Sequence, residues 1–287
     1  MQWNPRRLPR VRQQMTRFMN DPTTMLYEVF PEHRTEFAAL ARQLPVAELY
    51  WVMSDMAALA VSSGQELPDV RWTTDDRPSG IGLLVFEDGI GSVQFQGAVV
   101  PADALSWGPA PGGMRLWHWV RRSRIEEALG HSGAQLAAWM PPLIPAHGTI
   151  LPVSAEPTPT GELDESVRTL MTTLAAAWHM MEQPRLVDRS QVEPDRKERR
   201  SLARAGDSSP GVTLVDLRRQ YVPQVQDDEP EGGKRQYRHR FVVSGHWRDQ
   251  AHGPDRSLRR RTWITSYLKG PDGAPLLDTT RVNVWKR

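Results

Sequence analysis

At 287 residues the chain is long enough for two modest hydrophobic cores, and its lack of cysteine excludes disulfides, zinc–thiolate centres and thiol nucleophiles. Hydrophobic residues make up 39% and charged residues 24%, an ordinary globular balance, while 24 prolines and a mean hydropathy of -0.53 predict many loops. The formal net charge is only +2, charges or prolines break every apolar run well before ~18 residues, and no apolar segment follows the basic start, so the reading is a cytoplasmic protein without membrane span or secretion signal.

The first patterned segment is 31–44. Pro31 suits a helix entry, and Phe37, Leu40, Ala41 and Leu44 recur at helical spacing. Pro45 restarts the chain, and Val46, Leu49, Tyr50, Met53, Met56 and Ala60 fit one stripe of a second helix closed by Ser62, Ser63 and Gly64. The expectation is a packed helical hairpin. Ile81–Phe86 is apolar enough for a buried strand, Asp88-Gly89 is a hairpin signal, and Val93, Phe95 and Gly97 alternate on the return. Met114–Val120 predicts another strand. Residues 140–160 carry six prolines and predict a loop or strap.

Glu162–Gln183 is the clearest helix. Glu162, Asp164 and Glu165 favour its positive N-terminal end, Leu163, Val167, Leu170, Leu174, Trp178 and Met181 form one stripe, and Pro184 stops it. His179 lies beside that stripe and reads as structural. Glu193–Ala205 predicts a short charged helix whose Arg196, Lys197, Arg199 and Arg200 form either a solvated face or a phosphate-contacting one. Val212–Arg218 reads as a strand and 221–236 as a linker or loop.

The fold class is therefore α+β: a helical and antiparallel-strand body at 1–220, then the linker, then a small basic all-β module at 237–287. From Lys234 to Arg287 there are 13 Lys or Arg against four Asp, a net of +9; the rest of the chain has 23 basic against 30 acidic residues, a net of −7. An acidic body with a basic end points to a polyanionic partner. Only four of the 36 cations are lysine, but an arginine bias also follows from the base composition of a coding sequence and is weak evidence by itself.

Within the module, Tyr237, His239, Phe241, Val243 and Trp247 fall on one face of a strand, and Arg238, Arg240, His246 and Arg248 on the other. A loop of about a dozen residues is expected to carry His252, Arg256 and the run Arg259, Arg260 and Arg261. A second strand then places Arg261, Trp263, Thr265, Tyr267 and Lys269 on one face, and Arg281–Trp285 predicts a third. The runs HRFVVSGHWR (His239–Arg248) and RRTWITSYLKGP (Arg260–Pro271) resemble the ending of a set of uncharacterised proteins from phages, plasmids and actinomycete-type genomes. The stretch from Leu49 to Phe86 is similar to the same set. The resemblance implies a mobile-genetic-element context and no catalytic residues.

Three partner or activity classes follow. Arginine binds phosphate bidentately and Trp or Tyr can stack on bases, so the leading expectation is nucleic-acid binding through Arg238, Arg240, His246, Arg248, Arg259, Arg260, Arg261 and Lys269. A metal-independent ribonuclease would need only a base, an acid and a cation near the phosphorane, with His246, Arg248 and Tyr267 as candidates. A phage or plasmid factor docking on an acidic host protein fits the same charge. No cofactor is expected. A metal is disfavoured because His239, His246 and His252 stand among arginines, with Asp249 and Asp255 as the nearby carboxylates.

Overall fold

The computed structural model describes residues 3–95, 97–154, 156–163, 165–204, 211–218 and 241–269. The chain divides into two compact units, Met1–Arg218 and Arg219–Arg287.

The first unit opens with helix α1 (Leu8–Asn20), which buries Leu8, Val11, Met15 and Met19 along one stripe. The short α2 (Met25–Val29) precedes α3 (Arg34–Gln43), where Phe37, Leu40 and Ala41 are buried as their spacing predicts. The second predicted helix does not start at Pro45. Residues Leu44–Val46 form a single 3-10 turn, and Glu48–Val52 is strand β1, followed by a shorter helix α4 (Ser54–Gly64). The physical reason is burial on both faces. Leu49 and Trp51 belong to the core formed with α1 and α3, whereas Tyr50 stacks on Trp107, which meets Trp178 edge-on. A strand covered on both sides loses its period of two, so its apolar run matches a helical stripe equally well.

After β2 (Asp69–Val70) comes β3 (Gly82–Phe95), a single long strand. The Asp88-Gly89 hairpin expected from the sequence is instead an irregularity within it. Pairing with β4 (Ala98–Ala110) shifts register between Val85 and Ile90 and again between Ile90 and Val93, and Gly89 takes a φ of +79° there. Strand β5 (Gly113–Arg121) matches its prediction, and α5 (Arg122–Ala137) follows with a break at Gly130. The proline-rich stretch expected as a loop contains β6 (Leu143–Leu151), which tolerates Pro145 because it is an edge strand and the register shifts beside that residue. Strand β7 (Thr158–Pro159) pairs with β2. Helices α6 (Glu165–Met181) and α7 (Arg196–Arg204), with β8 (Val187–Val192) between them and β9 (Val212–Leu217) after them, complete the unit.

Seven strands form one sheet in the order β6-β5-β4-β3-β1-β9-β8. The arrangement is α+β, but the sheet is mixed rather than antiparallel: β1 runs parallel to both β3 and β9. The chain passes from β1 to β3 through α4, the crossover that a parallel pair requires. Close packing of α4 on α6 depends on small residues. A β-carbon built on Gly64 would lie 2.9 Å from the Thr172 carbonyl carbon.

In the second unit, the single strand expected from Tyr237 to Arg248 is interrupted at Ser244 and Gly245. Strand β10 (Phe241–Val243) pairs with β13 (Tyr267–Lys269), and β11 (His246–His252) pairs with β12 (Leu258–Ile264), both antiparallel. A β-carbon on Gly245 would come within 2.6 Å of the Trp263 ring, so only glycine fits at this point. The expected linker at 221–236 and the strand at Arg281–Trp285 lie outside the described residues.

Candidate nucleic-acid interface

The β11–β12 ribbon holds most of the described residues that the sequence nominates. Its register sets Trp247 opposite Trp263, Arg248 opposite Thr262, Asp249 opposite Arg261, Gln250 opposite Arg260 and Ala251 opposite Arg259. The two tryptophans meet edge-to-face at 5.2 Å, with Trp263 buried, so they form the ribbon's small apolar centre. Strand alternation then divides the cations. His246, Arg248 and Arg260 share the face opposite the tryptophans, while Arg259 and Arg261 lie on the tryptophan face.

Arg259 and Arg260, expected in the loop, therefore belong to β12, and Arg261 lies on the tryptophan face of that strand as its spacing predicts. The turn that makes this possible is tight: Gly253 at φ +75°, then Asp255 and Arg256 with φ near +50°. Arg261 is spoken for, its Nε 3.3 Å from Asp249 Oδ1 and its side chain only 10% exposed. His246, Arg248, Arg259 and Arg260 are exposed. His246 Nδ1 donates to the Ser244 carbonyl at 3.1 Å. Arg238 and Arg240 lie outside the described residues, as do the side chains of Tyr267 and Lys269, whose backbones pair with Val243 and Phe241.

A second basic surface was only half legible in the sequence. Helix α7, flagged there as solvated or phosphate-contacting, lies along α1, and the two enclose a groove of about 670 Å³. Arg10 and Arg17 line it from α1, and Arg196, Lys197, Arg200 and Arg204 line it from α7. The apolar stripe of α1 carries the signal that finds the α1 pair: Leu8, Val11, Met15 and Met19 are buried at helical spacing, and two arginines seven residues apart lie outside that stripe.

The remaining buried polar groups serve the fold. Asp103 is fully buried and accepts from the Arg121 backbone N–H at 2.8 Å, with the Arg121 and Arg124 guanidinium groups 3.2 and 3.5 Å away. Arg121 also donates to the carbonyls of Phe86 and Glu87 and stacks on Trp3 at 4.6 Å. Burial raises the Asp103 pKa and lowers that of Arg121, so each pays a desolvation cost to hold the irregular part of β3. Among the described residues no cluster of three or more potential metal ligands occurs. No described helix is long and apolar enough to cross a membrane.

No protein-family model and no curated protein matches the chain. Among solved structures it is similar to one described as "Crystal structure of AcrVA2", with a TM-score of 0.42 and 13% identity over 90% of this chain and 92% of that one. A likeness of that size carries no argument about function.

Proposed function

We propose that the protein binds nucleic acid and contacts phosphates through the arginine-bearing β11–β12 ribbon, within the mobile-element context that the sequence resemblance implies. One observation carries the reading: Arg248 and Arg260 stand exposed beside His246 on one face of a two-stranded antiparallel ribbon, with Arg259 exposed on the other. A ribbon of this kind is narrow enough to enter the major groove of a duplex, and its guanidinium groups match phosphate oxygens and guanine edges. Because the tryptophans pack against each other, charge rather than stacking dominates the contact.

The test is binding of the full chain to labelled duplex DNA and to RNA across a range of salt concentrations. Replacing Arg248, Arg259 and Arg260 with Gln is expected to flatten the salt dependence by up to about three log units per log unit of salt for a duplex. Near-UV circular dichroism checks that the Trp247–Trp263 centre is intact. An unchanged slope with an intact fold contradicts the assignment to the ribbon. Turnover of RNA that disappears in His246→Ala, with binding retained, would instead support the ribonuclease alternative.

A further inference from the structure

The groove between α1 and α7 belongs to the first unit, which is acidic in net charge, and it is chemically unlike that unit. Six cations converge on it, and among the described residues Glu198 is the one carboxylate in its lining. Glu198 is itself buried and engaged, its carboxylate 3.1 Å from Arg10 Nη1. Its backbone N–H donates to Asp195 Oδ1 at 2.9 Å, a helix cap whose donated hydrogen bond holds the Asp195 pKa below its usual range. Leu202, one turn further along, is buried as well. Glu198 and Leu202 thus fix the inner face of α7, and this fixes which residues face out.

Arg196, Arg200 and Arg204 follow one another at four-residue steps, about 6 Å of helix rise each. Arg10 and Arg17, seven residues and about 10 Å of helix rise apart on α1, line the groove from its other side. Among the described residues Arg17, Arg196, Arg200 and Arg204 have no carboxylate within 4 Å, and all four are exposed. Like charges at this density repel, and a row of them is stabilised when an anion of matching length lies along it.

We propose that this groove is a second phosphate-binding surface, which follows the sugar–phosphate backbone of a nucleic-acid strand without reading its bases. The lining argues for phosphate over an acidic protein. Five of the six cations are arginine, whose fork pairs with phosphate oxygens in two-point fashion. Among the described residues the groove has no aromatic or aliphatic lining residue, so these supply neither the apolar anchor on which protein interfaces depend nor the platform on which bases stack. Charge and hydrogen bonding to the backbone are what remains, and those give sequence-independent, salt-sensitive binding.

Groove and ribbon lie in different units of the chain, so substitutions separate them. In the full chain, Arg196, Arg200 and Arg204 are replaced by Gln, both alone and together with the Arg248, Arg259 and Arg260 substitutions. Fluorescence anisotropy with labelled oligothymidylate and oligouridylate is then followed across salt. The ribbon variant is expected to keep residual binding to both oligomers equally. Adding the groove substitutions is expected to weaken that binding about tenfold or more and to reduce the salt slope by about two. If the groove variant matches its parent in affinity and slope, the proposal is overturned. Competition by polyglutamate as effective as that by oligothymidylate also overturns it, in favour of an acidic-protein site. A ribbon variant that binds as well as wild type while the groove variant fails would leave this proposal standing and remove the ribbon reading. Should the triple substitution disturb the fold, Arg17→Glu and Lys197→Glu, single changes at exposed positions, give the same comparison.

Discussion

His118 shows how much a single side chain can contribute to pH behaviour. It is fully buried on β5, neither ring nitrogen has a hydrogen-bond partner, and its ring stacks on the exposed His147 at 5.8 Å. Burial, with a smaller contribution from the neighbouring imidazole, lowers its pKa from 6.5 to about 4. The fold therefore prefers the neutral ring. The unfolded chain takes up a proton as pH falls through 6.5, and the folded chain does so only near 4. This increment of stability is complete above pH 6.5 and is lost on the way down to pH 4, with a total on the order of 3 kcal/mol. Between pH 6.5 and pH 4 the melting temperature of wild type should fall more than that of His118→Leu, which lacks the titrating ring. Parallel pH profiles would show that His118 is already hydrated or paired in solution.

At the scale of elements, what was legible in the sequence depended on clear ends and, for some elements, on a face left in water. Helix α3 was readable from the apolar stripe beside its polar face, α6 from its acidic start, its apolar spacing and the proline after it although Leu170–Trp178 is buried all round, and α7 from its run of charges; β5 and β9 were short apolar runs with clear ends. Strand β1 was not readable, since α1 and α3 cover one of its faces and Trp107 with Trp178 the other. Strand β6 was hidden by its prolines, which an edge strand accepts. The ribbon residues were legible as a basic cluster, and so were the faces of His246, Arg248 and Arg261; Arg259 and Arg260 were not, because the tight turn at Gly253–Ser257 brings them into β12 and splits the run between its faces. The α1–α7 groove joins segments nearly two hundred residues apart, as the Arg10–Glu198 pair does, and no local pattern encodes that meeting. The α4–α6 contact gives an element-scale test. Gly64→Val puts a branched side chain where even a β-carbon crowds the Thr172 backbone, and it should cost about 1–3 kcal/mol in thermal or denaturant unfolding. A variant as stable as wild type would mean the two helices slide apart at no cost.

At the scale of the whole molecule, the charge is segregated twice. The sequence separates a net −7 before Lys234 from a net +9 after it, and folding separates it again by drawing six cations to one groove of the acidic unit. Among the described residues Glu198 answers Arg10 in the groove and Asp249 answers Arg261 on the ribbon, while Arg17, Arg196, Arg200 and Arg204 have no carboxylate within 4 Å. Each of those pairs has one largely buried and one exposed partner and holds its own element in place, so the groove arginines outside them are better explained by what they bind than by what they hold together. The most direct measurement is the affinity of the full chain for duplex DNA and for single-stranded RNA, free of bound nucleic acid at the start, as a function of salt. Binding is expected at low salt, with the logarithm of the affinity falling linearly with the logarithm of salt concentration at a slope of several units. No affinity for either polymer at low salt, or an affinity indifferent to salt, would contradict it.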